Sequence, residues 1–471
     1  MKDAARTFFA IAVLIIIIGF LVPGTALPGR DGGRLGPLGG GKVWVARYDG
    51  AAHGQDWAEA IAVDSAGNVY VTGGSITGYN NWDYATIKYS SAGVQKWAKR
   101  YGFNVTGSSM KMDYAHGLAL DHAGNIYVTG ESSAHNGRLR FATIKYLPNS
   151  QADWVARSDF GEALADYKAK ALAVDLTGNI YVTGSQIPYY SKKNIATAKY
   201  TTTGAEAWTR TFDDYDDLDD EGVAVGVDAS KNVYVAGYET TTQFGKNFKM
   251  IKYSTSGTTL WTKSYNGPSN DEDAATALNI VHCGTWMVPV TELAVVGYSK
   301  VEATGYDCVT RVIRANGTAT LWTQRFTGQD PIVDVRPTGV TSDSAGNIYV
   351  AACGDCGGFF TLKYDVAGNL VWLRKYEGGM GYDFAWAIAV DNAKNVYVTG
   401  QTQTCNSFDY ITIKYDSAGN LIWDRSYDGT GHGYDWPKAI AVDNKGYVYV
   451  TGYSKGAGTS DDYLTIKYEA D

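Results

Sequence analysis

The stretch Asp64–Gly73, DSAGNVYVTG, decides the fold. Its first half is a tight turn: an aspartate that can bond the turn backbone, and a glycine free to take positive φ. Its second half, Val69-Tyr70-Val71, is a short β-branched and aromatic run of the kind that fits a pleated sheet. Variants of GNVYVTG recur at Gly124–Gly130, Gly178–Gly184, Asn232–Gly237, Gly346–Ala351, Asn395–Gly400 and Gly446–Gly452, with a degraded form at Leu293–Tyr298. A second phrase, ATIKY, ends at Tyr89, Tyr146, Tyr200, Tyr253, Tyr364, Tyr415 and Tyr468, and VTRVI at Val309–Ile313 is its eighth form. Tryptophans at 44, 97, 154, 208, 261, 322, 372 and 423 mark a third phrase, at separations of 50 to 61 residues. Three markers each count to eight.

Each unit divides into four strands. Ile61 and Val63 alternate with Ala60 and Ala62 in the first, and the second follows the Asp64 turn. Ile87 and Tyr89 share one face of the third, and a turn at Ser90–Gly93 leads to the Trp97 strand. No helix-length amphipathic segment intervenes, so the class is all-β. Eight such repeats predict an eight-bladed propeller of four-stranded antiparallel blades, with a seven-bladed ring plus one extra unit as the rival. Small residues such as Ala60 and Ala62 suit the crowded inner strand, and the repeated tryptophans suit packing between blades. Trp44–Tyr48 precedes the first inner strand, while the last unit stops after Tyr468. The N-terminal strand is therefore expected to complete the last blade and hide its open edge.

Composition agrees with a folded chain, and the N-terminal apolar run with an exported one. Of 471 residues 45% are hydrophobic and 19% charged, which excludes generic disorder and a coiled coil. The net charge of −8 gives no electrostatic reason to expect nucleic acid. Phe8–Val22 is an uncharged apolar run after Lys2 and Arg6, with small residues up to Ala26. Residues 1–26 are thus read as a signal peptide, or as a retained membrane anchor. Residues 27–42 form a linker and 43–468 a single propeller, placed in the periplasm, outside the cell or on its surface.

The repeated DSAGNVYVTG and DYxTIKYxxxGxxxW phrases resemble the bacterial and archaeal beta-propeller repeat family labelled SBBP, over about Lys42–Tyr468. The family label refers to seven blades, and this chain departs from it with eight units. The resemblance implies an exported or surface-associated propeller and carries over no catalytic centre. The segment Tyr415–Trp423 is also similar to the turn-to-tryptophan segment of quinoprotein-type propellers, but it covers only a packing motif.

Candidate chemistry concentrates where each inner strand begins. Asp56, Asp113, Asp166, Asp220, Asp273, Asp334, Asp383 and Asp435 recur there, either as loop caps or as a rim for calcium or polar ligands. The run Asp213–Glu221 reads as an exposed acidic loop, since buried neighbouring carboxylates repel. Tyr79, Trp82, Tyr189, Tyr190 and Phe408 lie in connections that could stack on sugars or grip a peptide. Cys353 with Cys356, and Cys283 with Cys308, are candidate disulfides; five cysteines leave one over. The six histidines form no metal motif, and no nucleophile-elbow or phosphate-loop motif occurs. The expected function is a binding scaffold for an extracellular protein or polysaccharide, with any membrane contact through a retained anchor. A glycan-active enzyme or quinoprotein-like oxidoreductase is the second reading, and a purely structural envelope module the third.

Overall fold

A computed structural model describes residues 41–78, 81–103, 111–213, 218–285, 288–328, 334–354, 357–378, 382–404 and 407–470, with backbone only for those within 283–290. Six sheets hold four antiparallel strands each. A seventh holds eight strands, because a short parallel pairing of Asn81–Trp82 with Lys111–Met112 joins blades 1 and 2. That makes eight blades. The inner strands begin at Asp56, Lys111, Asp166, Glu221, Asp273, Val335, Asp383 and Asp435. Each packs against its neighbours on both sides, and Asp56–Val63 packs against Asp435–Val442, so the ring closes at eight.

Closure is as the chain order predicts. Lys42–Tyr48 pairs antiparallel with Asp461–Tyr468 and becomes the outer strand of blade 8. Both ends of the ring are thereby locked into one sheet, and an otherwise open edge is paired.

The hydrophobic interior is divided. Eight buried clusters occupy the eight junctions between blades; Ile61, Val71, Ala441, Tyr449 and Tyr463, for example, fill the space between blades 8 and 1. Sheets face each other across these junctions, so each unit buries its apolar faces only when both neighbours are present.

The repeated phrases have specific duties. Asp64 accepts hydrogen bonds from the Ala66 and Asn68 amides, the Asn68 side chain and the Tyr70 hydroxyl. Gly67 in that turn has φ of 81°. The glycine that ends the phrase faces a bulge in the inner strand between Ala58 and Ala60, and a Cβ on Gly73 would lie 1.9 Å from the Trp57 carbonyl oxygen. Trp154 in the outer strand of blade 2 donates its indole N–H to the Thr202 carbonyl of blade 3, at 3.0 Å. Trp44, Trp208, Trp261, Trp322 and Trp372 each reach the next blade in the same way. Trp97 and Trp423 pack alike, but their indole nitrogens find no such partner. The lysine of the IKY phrase bonds the same carbonyls, Lys199 to Thr255 and Lys363 to Ser417, both at 2.9 Å.

Candidate functional site

The two faces of the ring differ. One carries the Asp64-type turns and the turns between third and outer strands, which repeat nearly unchanged. The other carries the loops that lead into the inner strands and the links between second and third strands, where the units diverge. Every candidate residue named above that the structure describes, the cysteines and the repeated tryptophans apart, lies on or beneath this second face.

The aspartate series splits into two sets. Asp56, Asp113, Asp273, Asp383 and Asp435 are buried and accept the backbone N–H of Gly50, Phe103, Gly267, Gly378 and Gly429 in the loop leading to their own strand. Asp220 is buried and accepts from the Thr240 amide. Asp166 and Asp334 stand one residue earlier, as their nine-residue spacing to Asp175 and Asp343 implies; Tyr167 and Val335 take the buried position instead. Their carboxylates reach across to the preceding blade, to the amides of Leu139 and Tyr306. All eight thus cap backbone.

The buried carboxylates belong to rows that cross the sheet. In blade 8, Asp435, Ser454 and Asp462 sit in register on three strands, and Arg47 of the outer strand donates to Ser454 Oγ at 2.6 Å and Asp462 at 3.2 Å. Asp56, Ser75, Asp83 and Arg100 repeat this in blade 1, and Asp273, Ser299, Asp307 and Arg325 in blade 5. In blade 2 Arg157 reaches Ser132 likewise. The signal for the arginines was available as Trp-x-x-Arg in these four units alone. Burial pushes the Asp56, Asp113 and Asp435 carboxyls up to about 6.

Just past the buried aspartates, an arc of half-buried rings spans blades 7, 8, 1 and 2. Trp386 lies 5.5 Å from Trp436, which stacks on Tyr453 at 6.0 Å; Tyr453 lies 5.7 Å from Trp57, and Trp57 4.8 Å from Trp82. Tyr114 closes the arc 5.8 Å from Trp82. Trp57, on the innermost strand of blade 1, touches rings of both neighbouring blades, Tyr114 of blade 2 and Tyr453 of blade 8. Polar groups are interleaved: the Lys438 ammonium lies 4.7 Å from the Trp386 ring centre and 5.6 Å from that of Trp436. Glu59 accepts from the Tyr114 hydroxyl at 2.9 Å, and the Trp57 indole approaches Asp461 at 3.4 Å. In blades 3, 4 and 5 the positions that match Trp57 and Trp436 hold Lys168, Glu221 and Ala274, so the inner-strand tryptophans are confined to blades 7, 8 and 1, whereas the position of Tyr453 is again tyrosine in blades 4 and 5, at Tyr238 and Tyr298.

Of the aromatic candidates, Trp82 belongs to this arc. Phe408 stacks on Tyr434 at 5.9 Å beside blade 7. Tyr189 and Tyr190 form a separate exposed pair on blade 3, with the Arg138 guanidinium 4.6 Å from the Tyr189 ring centre. Tyr79 lies outside the described residues, as do Asp214–Asp217 of the acidic run. Trp57, Trp386, Trp436 and Tyr453 escaped sequence reasoning, although the repeated Asp-Trp dipeptides at 56–57 and 435–436 marked two of them.

The proposed Cys283–Cys308 bridge is corrected. Cys308 is a buried free thiol opposite Tyr298, whereas Cys283 stands opposite Val290, eight residues farther along the shared strand. At about 3.4 Å per residue that offset is far beyond the reach of a disulfide. Cys356, the partner suggested for Cys353, lies outside the described residues.

Two groups of carboxylates converge closely enough to share a cation: Asp49, Asp56 and Asp462, and Asp409, Asp428 and Asp435, each set offering oxygens within 4.8 Å of one another.

Comparison with known proteins agrees with the architecture. Residues 43–80, 96–137, 153–185 and 429–458 match the family described as beta-propeller repeat, so repeats of this type are present over part of the chain. The chain is 22% identical over 468 residues to an uncharacterized WD repeat-containing protein of Acanthamoeba polyphaga mimivirus, covering 88% of this chain and 30% of that protein. It therefore spans under a third of that relative's length. Among solved structures it is similar to Drosophila Plexin A in complex with Semaphorin 1b (9% identity, 78% of this chain and 86% of that one, TM-score 0.46). It is also similar to polysaccharide lyase Uly1 (8%, 78% and 94%, TM-score 0.44) and to a protein of unknown function from Bacteroides caccae (15%, 61% and 90%, TM-score 0.33). None of these likenesses bears on ligand or chemistry here.

Proposed function

We propose that this chain is an exported, surface-displayed propeller that binds a polysaccharide without cleaving it. The observation that carries the reading is the arc Trp386–Trp436–Tyr453–Trp57–Trp82 at the channel mouth. Half-buried indole and phenol rings offer flat apolar faces to the C–H faces of sugar rings, while Lys438, Glu59 and Asp461 can bond hydroxyl groups. Apolar platforms with a few placed polar groups are the usual make-up of a small-ligand site. The ring supplies rigidity, so little conformational freedom is lost on binding.

The test is an array of polysaccharides and extracellular proteins probed with the full chain in the presence of calcium. Saturable binding to one class of glycan, lost in Trp57→Ala and Trp436→Ala with circular dichroism unchanged, is expected. Binding that survives both substitutions, or no specific binding by folded protein, overturns the reading.

A further inference from the structure

A ten-residue phrase occurs twice and is not explained by blade packing. Tyr48–Trp57 reads YDGAAHGQDW and Tyr427–Trp436 reads YDGTGHGYDW. Each forms the loop from an outer strand to the next inner strand, at the junctions of blades 8 and 1 and of blades 7 and 8. The two loops have the same conformation, with His53 and His432 at φ of 51° and 47°. In each, the histidine Nδ1 lies 2.6 Å from the loop aspartate, Asp49 or Asp428. The third-strand aspartate of the preceding blade, Asp462 or Asp409, completes the cluster.

The carboxylates are not used up by the protein. At the junction of blades 8 and 1, Asp49 gives one oxygen to His53, Asp56 one to the Gly50 amide, and Asp462 one to Arg47 and Thr459. The other oxygen, Oδ1, of all three is buried and has no hydrogen-bond partner. Asp56 is fully buried and Asp462 is 3% exposed, so these are costly orphans rather than solvated surface groups. At the junction of blades 7 and 8 the same Oδ1 of Asp435 is orphaned. There the outer-strand position that holds Arg47 in blade 8 is Ser426, so Asp409 has no arginine facing it; the charges acting on it are Asp428 and His432.

A third junction, between blades 4 and 5, supplies an internal comparison. Asn266, Asn270 and Asn247 stand where Asp49, His53 and Asp462 stand, with Asp273 in place of Asp56, and Asn270 has φ of 50°. The Oδ1 atoms of Asn247, Asn266 and Asp273 are again buried without partners. The oxygen arrangement therefore belongs to the loop, and two of its three copies add the charge.

We infer that the YDGxxHGxDW loops build two divalent-cation sites, Asp49–Asp56–Asp462 and Asp409–Asp428–Asp435, that take calcium and pin neighbouring blades together. Three carboxylate oxygens with water completing the shell suit calcium, which accepts six to eight oxygens in flexible geometry. The first site joins the N-terminal segment to the last strand, so its ion staples the seam of the ring. This goes beyond polysaccharide recognition and does not depend on it: a silent glycan array leaves it standing, and a calcium null leaves the aromatic arc untouched.

The test uses the full chain stripped with EDTA and titrated with calcium chloride by calorimetry, with thermal unfolding in parallel. Two equivalents are expected, with a dissociation constant of roughly 10⁻⁴ to 10⁻³ M, as in extracellular calcium modules. Calcium should raise Tm. Asp49→Asn and Asp428→Asn, which remove no backbone cap, should each lose one equivalent, and the double variant should lose both together with the Tm gain. Near-ultraviolet circular dichroism checks that the variants are folded. No binding by the folded parent at about 10 mM calcium, or undiminished binding in the double variant, overturns the proposal.

Discussion

Arg47, in the first strand of the ring, lies 3.2 Å from Asp462 in the last, and the same guanidinium donates to the carbonyls of Ser454 and Lys455. The seam is thus held by polar contacts as well as by the ladder from Lys42 to Tyr48. Arg47→Ala removes the positive charge beside the buried Asp462 carboxylate, which keeps only the Thr459 hydroxyl, and takes one donor each from the Ser454 and Lys455 carbonyls. We expect it to cost about 2–4 kcal/mol, measured by urea unfolding. Loss of 43–49 altogether should abolish cooperative folding of the ring, because blade 8 would then expose its third strand.

The buried aspartates set an unusual pH dependence. Asp56, Asp113 and Asp435 have folded-state values of about 6 against an ordinary 3.8, through burial that outweighs the hydrogen bonds they accept from the Gly50 amide, from Ser132 and the Phe103 amide, and from the Gly429 amide. Between those values the folded chain keeps protons that the unfolded chain has released. Stability should therefore fall as pH rises from about 4 to about 6 and level off above, for these groups. Thermal unfolding of EDTA-treated protein checks this. Asp113→Asn should flatten the slope, and a rise in stability across the window would contradict it.

The glycine that closes VYVTG is held by geometry. A Cβ on Gly400 would sit 2.1 Å from the Phe384 carbonyl oxygen, and Gly73, Gly130, Gly184 and Gly452 are similarly tight, at 1.9 Å. Gly400→Ala should cost about 2–3 kcal/mol by displacing the bulge opposite it. Blade 6 already holds Ala352 at this place, opposite Pro337, so Ala352→Gly should be milder. Denaturant midpoints of the two variants provide the comparison.

Cys308 should be chemically inert in the native ring. Its thiol is buried and pushed up to about 12 by that burial, so almost no thiolate forms near neutral pH. Mass spectrometry after iodoacetamide treatment should find Cys308 unmodified under native conditions and modified in urea. Native labelling would contradict the burial.

Much of this was legible in the chain. Three markers counted the blades, because each blade repeats one packing problem and so repeats its solution: the turn aspartate, the glycine opposite the bulge, and the tryptophan that reaches the next blade. The terminal units, out of phase by one strand, foretold the closure. Even the two misaligned aspartates, Asp166 and Asp334, announced themselves by a nine-residue spacing.

The face with chemistry was not legible in the same way. Trp57, Tyr453, Trp436 and Trp386 come from four strands of three blades, and each reads alone as one more packing aromatic. Their arc exists only because closure sets blades 7, 8, 1 and 2 side by side. Asp49 and Asp462 are far apart in sequence and meet only where the ring closes; Cys283 and Cys308 are close in sequence yet held apart by strand register. Local sequence determined what recurs, since a turn or bulge is settled by residues a few positions apart. Only the tertiary structure decided which non-recurring side chains share the channel mouth and the seam, because those contacts depend on the closing of the whole ring.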